Sequence, residues 1–102
     1  LVRRELDAAA VQRCTRIVVD SRATTRNETG DLLPLVENGL LDRDALPELG
    51  KVIIGRVPGR SACDENTLYE SHGMAIQDLY VGARVLALAR ERGIGVDVPI
   101  GD

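Results

Sequence analysis

The sequence predicts an α/β chain in which parallel strands alternate with helices and one long helix closes the order. Three observations carry this. Arg16, Ile17, Val18, Val19 and Asp20 form an apolar run ended by Asp20 and Ser21; it is too short for a helix and suits a strand buried on both faces of a parallel sheet. Thr67, Leu68 and Tyr69 are strand formers, and strand 67–70 runs straight into the turn Ser71, His72, Gly73. From Met74 to Arg92 the chain is apolar on nearly all sides, as a helix covered on more than one face is. Strand, helix, strand, helix in alternation is the signature of a parallel sheet.

The remaining elements follow the chain. Glu5 to Arg13 reads as a helix, with Leu6, Ala9, Ala10 and Arg13 at helical spacing. After the first strand, Ser21 or Thr24 can cap an irregular helix running toward Leu40. Pro34 sits near an internal helix start, where its missing N–H costs little. Asp44 to Ile54 reads as a short helix or turn pair whose apolar side is Leu46, Leu49, Val52 and Ile53. Gly55 to Arg60 is a surface loop by its Gly and Pro content. Gly73 relieves the backbone where the chain reverses. Gly93 stops the long helix, with Arg90 and Arg92 in its last turn, where cations suit the helix dipole.

Composition sets limits on function. With 102 residues the chain is one domain or a piece of one, and folding alone would be marginal at this size. Apolar residues are 44%, but there is no Trp or Phe and only two Tyr, Tyr69 and Tyr80. The core must therefore be aliphatic. A net charge of −3 with both signs interspersed argues against nucleic acid or an anionic membrane surface as partner. No run of 18 apolar residues offers a membrane span. Cys14 and Cys63 are widely spaced, and read as buried or half-buried free thiols of a cytoplasmic protein.

In open α/β sheets, ligands sit where a strand's carboxyl end feeds a helix N-terminus. Ser71, His72 and Gly73 occupy that place, where a phosphate, a nicotinamide or a small acid would be held. The plainer alternative is a turn with Ser71 as N-cap. His72 is the single histidine. Adjacent strand residues point to opposite faces, so Ser71 and His72 are poorly placed as a nucleophile–base pair. Arg3 and Arg4 precede the first helix, where cations oppose the dipole; either a bound anion or simple solvation accounts for them. The pairs Glu28 with Asp31 and Asp64 with Glu65 lack histidine support, so they read as solvated faces and not as a metal site. Asp78 falls in the first turn of the long helix, a structural placement.

Five stretches together resemble the ornithine cyclodeaminase and mu-crystallin family. They are Arg4 to Asp7; Ile17 to Asp20; Glu28 to Leu32; Gly50 to Gly55 with Gly59 and Arg60; and Thr67 to Leu79. The order and spacing carry the resemblance more than any one stretch does. It implies the carboxyl-terminal half of a Rossmann-type nucleotide-binding domain, over residues 1–73. Residues 74–102 would be a long helix and tail returning toward an amino-terminal dimerisation domain. No Gly-x-Gly-x-x-Gly occurs in the sequence, so the pyrophosphate-binding half is not in it.

The resemblance further implies an enzyme using NAD or NADP on a small amino or imino acid, of the ornithine cyclodeaminase, alanine dehydrogenase or ketimine reductase type. The family's catalytic Asp would lie upstream of Leu1, leaving no catalytic residue in this chain, which alone is expected to be inactive. Ser71 and Arg3 would approach the cofactor, and His72 and Gly73 the substrate. The position of His72 is often small and apolar in the family, so this residue bears on which substrate is taken. A homo-oligomer is expected. The alternative is a non-catalytic ligand-binding or packing module on the same scaffold.

Overall fold

A computed structural model describes residues 3–101 and, for Glu28, the main chain alone. The elements run α1 (Ala8–Gln12), β1 (Arg16–Val19), α2 (Arg22–Glu28), α3 (Leu33–Glu37), a 3-10 turn (Arg43–Ala45), α4 (Leu49–Ile53), β2 (Thr67–Glu70) and α5 (Ala75–Arg92). The two strands pair in parallel, with Ile17 opposite Leu68 and Val19 opposite Glu70. Val19 also bridges to Glu48, and its N–H donates to the carbonyl of Pro47 at 2.9 Å.

Alternation along β1 decides which side chains meet. Ile17 and Val19 join Val11, Leu32, Leu35 and Leu46 in one buried aliphatic cluster, against which Leu6, Ala8, Cys14, Leu41 and Leu68 pack. Val18, between them, is buried outside that cluster.

Three helices depart from the sequence expectation for local reasons. The first starts at Ala8 and not at Glu5, because the Asp7 carboxylate accepts from the Ala10 N–H at 2.7 Å and caps it there. Its buried residue is Val11, while Ala9 is exposed. Arg3 and Arg4 thus lie outside the helix start, and Arg4 Nε donates instead to the carbonyl of Gly30 at 3.1 Å. The helix expected toward Leu40 divides in two. Ser21 caps α2 by accepting from the Thr24 N–H at 3.4 Å, and the chain breaks at Thr29, whose hydroxyl accepts from the Leu32 N–H. Pro34 lies in the first turn of α3. In α4, Ile53 faces solvent while Leu46 before it is buried. Cys63 is exposed and only Cys14 is half-buried.

The long helix holds its expected bounds. Gly93 ends it at φ +64°, and the Ile94 N–H reaches back to the Ala89 carbonyl. Its environment differs from the expectation of cover on several sides. Leu79 is 68% exposed and Tyr80 76%, and no residue of α5 is buried. Two strands offer too little sheet to cover it.

Candidate functional site

Because β1 and β2 are parallel and in register, their carboxyl ends emerge side by side. The Asp20 N–H donates to the Glu70 carbonyl at 3.2 Å, which extends the ladder by one step. Asp20 and Ser71 then stand next to each other, each one residue past its strand.

The Asp20 side chain is fully inaccessible. Its Oδ2 accepts from the His72 N–H at 2.8 Å, the Gly73 N–H at 2.8 Å and the Ser71 hydroxyl at 3.3 Å. Its Oδ1 accepts from the Ser21 N–H at 2.7 Å. Burial alone would raise its pKa, but the N–H groups of Ser21, His72 and Gly73 and the nearby His72 outweigh that and hold it below the ordinary 3.8. An ionised carboxylate therefore ties the end of β1 to the turn after β2. Gly73 makes the turn possible at φ +85°, a conformation other residues rarely adopt.

This changes what the turn can offer a ligand. The N–H groups of His72 and Gly73 are committed to Asp20, so they do not form an open anion nest. Ser71 is not a helix cap: the residue at that position of α5 is Met74, with no side-chain cap. The Ser71 hydroxyl spends its proton on Asp20, so toward a ligand it can only accept.

A cavity of about 540 Å³ opens beside the turn, lined among others by Arg3, Glu5, Asp31, Glu70, Ser71 and His72. Its volume is that of a small-molecule site. Ser71 and His72 both line it, which differs from the opposite-face expectation because both lie beyond the end of β2. Arg3 lines it too, whereas Gly73 shapes the turn without lining the cavity. Asp31 fixes one wall: its Oδ1 accepts from the N–H groups of Glu5 at 2.7 Å and Leu6 at 3.1 Å.

The His72 side chain is only 8% exposed, and its Nδ1 is buried without a hydrogen-bond partner. Nδ1 lies 3.7 Å from Asp20 Oδ1, and Nε2 lies 3.9 Å from Glu70 Oε2. Glu70 Oε1 is also buried without a partner. Burial, and then the negative charge of Asp31, push the Glu70 pKa above its ordinary 4.5.

Asp20, Glu70 and Asp31 were not singled out in the sequence as members of a site. Asp20 carried one usable signal, an Asp directly after the apolar run of β1. Among the described residues no group of three His, Cys, Asp or Glu side chains has the arrangement of a metal site. Asp78 is exposed in the first turn of α5.

Two outcomes follow from these environments. Asp20→Asn keeps the size but replaces one acceptor by a donor facing N–H groups, and should cost about 2–3 kcal/mol, measured by urea unfolding at pH 7; an unchanged midpoint would contradict the clamp. Glu70 works with the opposite sign. Its folded pKa is raised, so its contribution to stability is complete below 4.5 and is lost as the pH rises through the elevated folded value. Glu70→Gln should therefore melt above the parent chain at neutral pH and level with it near pH 4; a lower Tm at neutral pH would contradict this.

The family model for the ornithine cyclodeaminase/mu-crystallin family matches residues 2–92. A delta(1)-pyrroline-2-carboxylate reductase of Bacillus cereus is 37% identical over 92 residues, which is 89% of this chain and 28% of that protein. An iminosuccinate reductase of Paracoccus denitrificans is 36% identical over 98 residues, 96% of this chain and 30% of that protein. Among solved structures, the Thermococcus litoralis delta(1)-pyrroline-2-carboxylate reductase, in complex with NADH and L-proline, superposes with a TM-score of 0.76 at 35% identity. That match covers 93% of this chain and 29% of the other. An archaeal alanine dehydrogenase dimer with bound NAD gives 0.70 at 28% identity, covering 97% of this chain and 31% of the other. The chain thus spans under a third of the length of the relatives it matches. With the model match running almost end to end, the chain belongs to the ornithine cyclodeaminase/mu-crystallin family.

Proposed function

We propose that this chain is the carboxyl-terminal part of an NAD- or NADP-dependent enzyme acting on a small amino or imino acid. The observation that carries the reading is the cavity at the paired strand ends, where Asp20 holds Ser71 and His72 in fixed positions. The relatives support it: the reductase superposed above binds NADH and L-proline, and the iminosuccinate reductase structure contains NAD+.

The residues present suit the nicotinamide end of such a cofactor. Ser71 offers only lone pairs, which match the N–H donors of a carboxamide, and Arg3 stands at the same cavity to meet an anionic part. The bound cofactor would supply hydride transfer, while the protein orients and screens. His72 and Gly73 are assigned to the substrate side, His72 through its place on the cavity wall and Gly73 through the turn it permits. The pyrophosphate would need a glycine-rich loop from outside this sequence. Residues 1–73 form the nucleotide-side unit, and residues 74–102 pack toward an amino-terminal dimerisation domain. The setting is cytoplasmic. Cyclodeamination, reduction of a cyclic imine and dehydrogenation all remain within this proposal.

Isolated, the chain should bind NADH more weakly than micromolar and turn over none of these substrates; fluorescence titration reaching micromolar affinity would contradict this. In the full-length protein, His72→Val should raise KM for the amino or imino acid about tenfold and that for the cofactor by much less, as expected for losing one polar contact. Equal effects on both would count against the assignment.

A second reading, a binding or packing module, draws on α5. Its exposed face includes Ile76, Leu79, Tyr80, Val81, Val85 and Leu86, an apolar face of the kind that marks interaction surfaces. We propose that this face is covered in a homo-oligomer. Leu79→Asp and Leu86→Asp should each weaken association by about 2–4 kcal/mol, read by sedimentation equilibrium. A monomer at high micromolar concentration would contradict it.

A further inference from the structure

Beyond the long helix the residues alternate. Val96, Val98 and Ile100 are 88%, 67% and 94% exposed, and Gly95, Asp97, Pro99 and Gly101 stand between and around them. Apolar residues at every second position have the period of a strand with one covered and one wet face, not that of a helix. Val and Ile are strand formers as well. Ile94 belongs to the helix stop, because its N–H reaches back to the Ala89 carbonyl. Gly95 at φ +99° and Gly101 at φ +86° bound the segment with bends that other residues rarely adopt. Residues 96–100 nevertheless pair with no strand among the described residues.

Pro99 decides which edge of such a strand is bonded. Along an extended chain the main-chain groups of successive residues point to opposite edges. The N–H groups of Val96, Val98 and Ile100 therefore share one edge, and those of Asp97 and Gly101 the other. Pro99 belongs to the second set and has no N–H. A proline in a sheet sits where its missing donor faces solvent, so the edge of Val96, Val98 and Ile100 is the one that can be paired. The same three residues put their branched side chains on one face.

The described chain does not supply the partner edge. β1 is engaged on both sides, by β2 and, at Val19, by Pro47 and Glu48. β2 has an open side, but α5 carries the tail away from it: its 18 residues span about 27 Å, and none of them is buried. The radius of gyration is accordingly 18.1 Å, where a compact chain of this length has about 13 Å. The β2 of a second copy suits the tail poorly, since it is four residues long and its exposed positions are Thr67 and Tyr69. We propose that residues 96–100 add as an edge strand to a sheet in the amino-terminal part of the parent protein, with Val96, Val98 and Ile100 on that sheet's covered face. The partner is defined by its chemistry: unpaired main-chain carbonyls along one edge beside an apolar face. This rests on reading the chain as the carboxyl-terminal part of a longer enzyme. Its match spans 28% of the Bacillus cereus reductase, so most of such a protein lies outside this sequence. The exposed face of α5 leads directly into the tail, and one docking would cover both.

The test is residue-resolved amide hydrogen exchange on the full-length protein, with two proline variants whose folding is established by circular dichroism. The amides of Val96, Val98 and Ile100 should be protected as those of β1 are, while Asp97 and Gly101 exchange freely. Val98→Pro removes a donor from the paired edge and should release the whole segment. Asp97→Pro removes one from the open edge and should leave the protection of Val96, Val98 and Ile100 in place. Rapid exchange throughout 96–100, protection without the alternation, or equal effects of the two variants would each overturn the inference. A diazirine-bearing residue in place of Ile100 identifies the partner on illumination. Cross-links to the amino-terminal part are expected, and cross-links to β2 would assign the tail to a second copy and overturn it. NADH titration of the same protein keeps the two ideas apart. NADH binding with a freely exchanging tail would remove the strand and leave the enzyme reading, and alternating protection without NADH binding would do the reverse.

Discussion

Four donors from two parts of the chain converge on the buried carboxylate of Asp20: the N–H groups of Ser21, His72 and Gly73, and the Ser71 hydroxyl. A buried negative charge is costly unless hydrogen bonds replace its water, and here they do. The same bonds fix the turn between β2 and α5. Without them the turn would present its N–H groups outward, and Ser71 and His72 would not be held to one wall. The position of every polar group in the cavity therefore depends on one carboxylate at the end of β1.

That arrangement divides the neighbouring acids by environment. Asp20 is surrounded by donors that hold its pKa down, whereas Glu70, on the other side of His72, faces burial and the Asp31 carboxylate, which push its pKa up. Titratable groups whose surroundings push them apart are a frequent property of functional sites.

Much of the architecture was legible in the residues. The apolar run of β1, the strand formers of β2 and the Gly93 stop of α5 are local signals, and each element lies where they point. The misplaced start of α1 and the break after α2 turned on side-chain oxygens, those of Asp7 and Thr29, that compete with helical bonds. The site was half legible. Ser71 and His72 could be placed from the strand-to-helix pattern, but Asp20 could not, because three of its four donors lie 51 to 53 residues away in sequence. Glu70 and Asp31 likewise acquire meaning only when the fold sets them beside one cavity. The apolar composition of α5 is legible too, but the described residues leave that helix exposed.

The central claim is that Asp20 holds the turn, and amide hydrogen exchange measured by NMR tests it most directly. The His72 and Gly73 amides lie beyond the strand, so nothing in the β ladder protects them. The account predicts protection at these two amides comparable to that of β1 in the parent chain. In Asp20→Asn that protection should collapse while β1 stays protected. Rapid exchange at His72 and Gly73 in the parent chain, or unchanged protection in the variant, would contradict it.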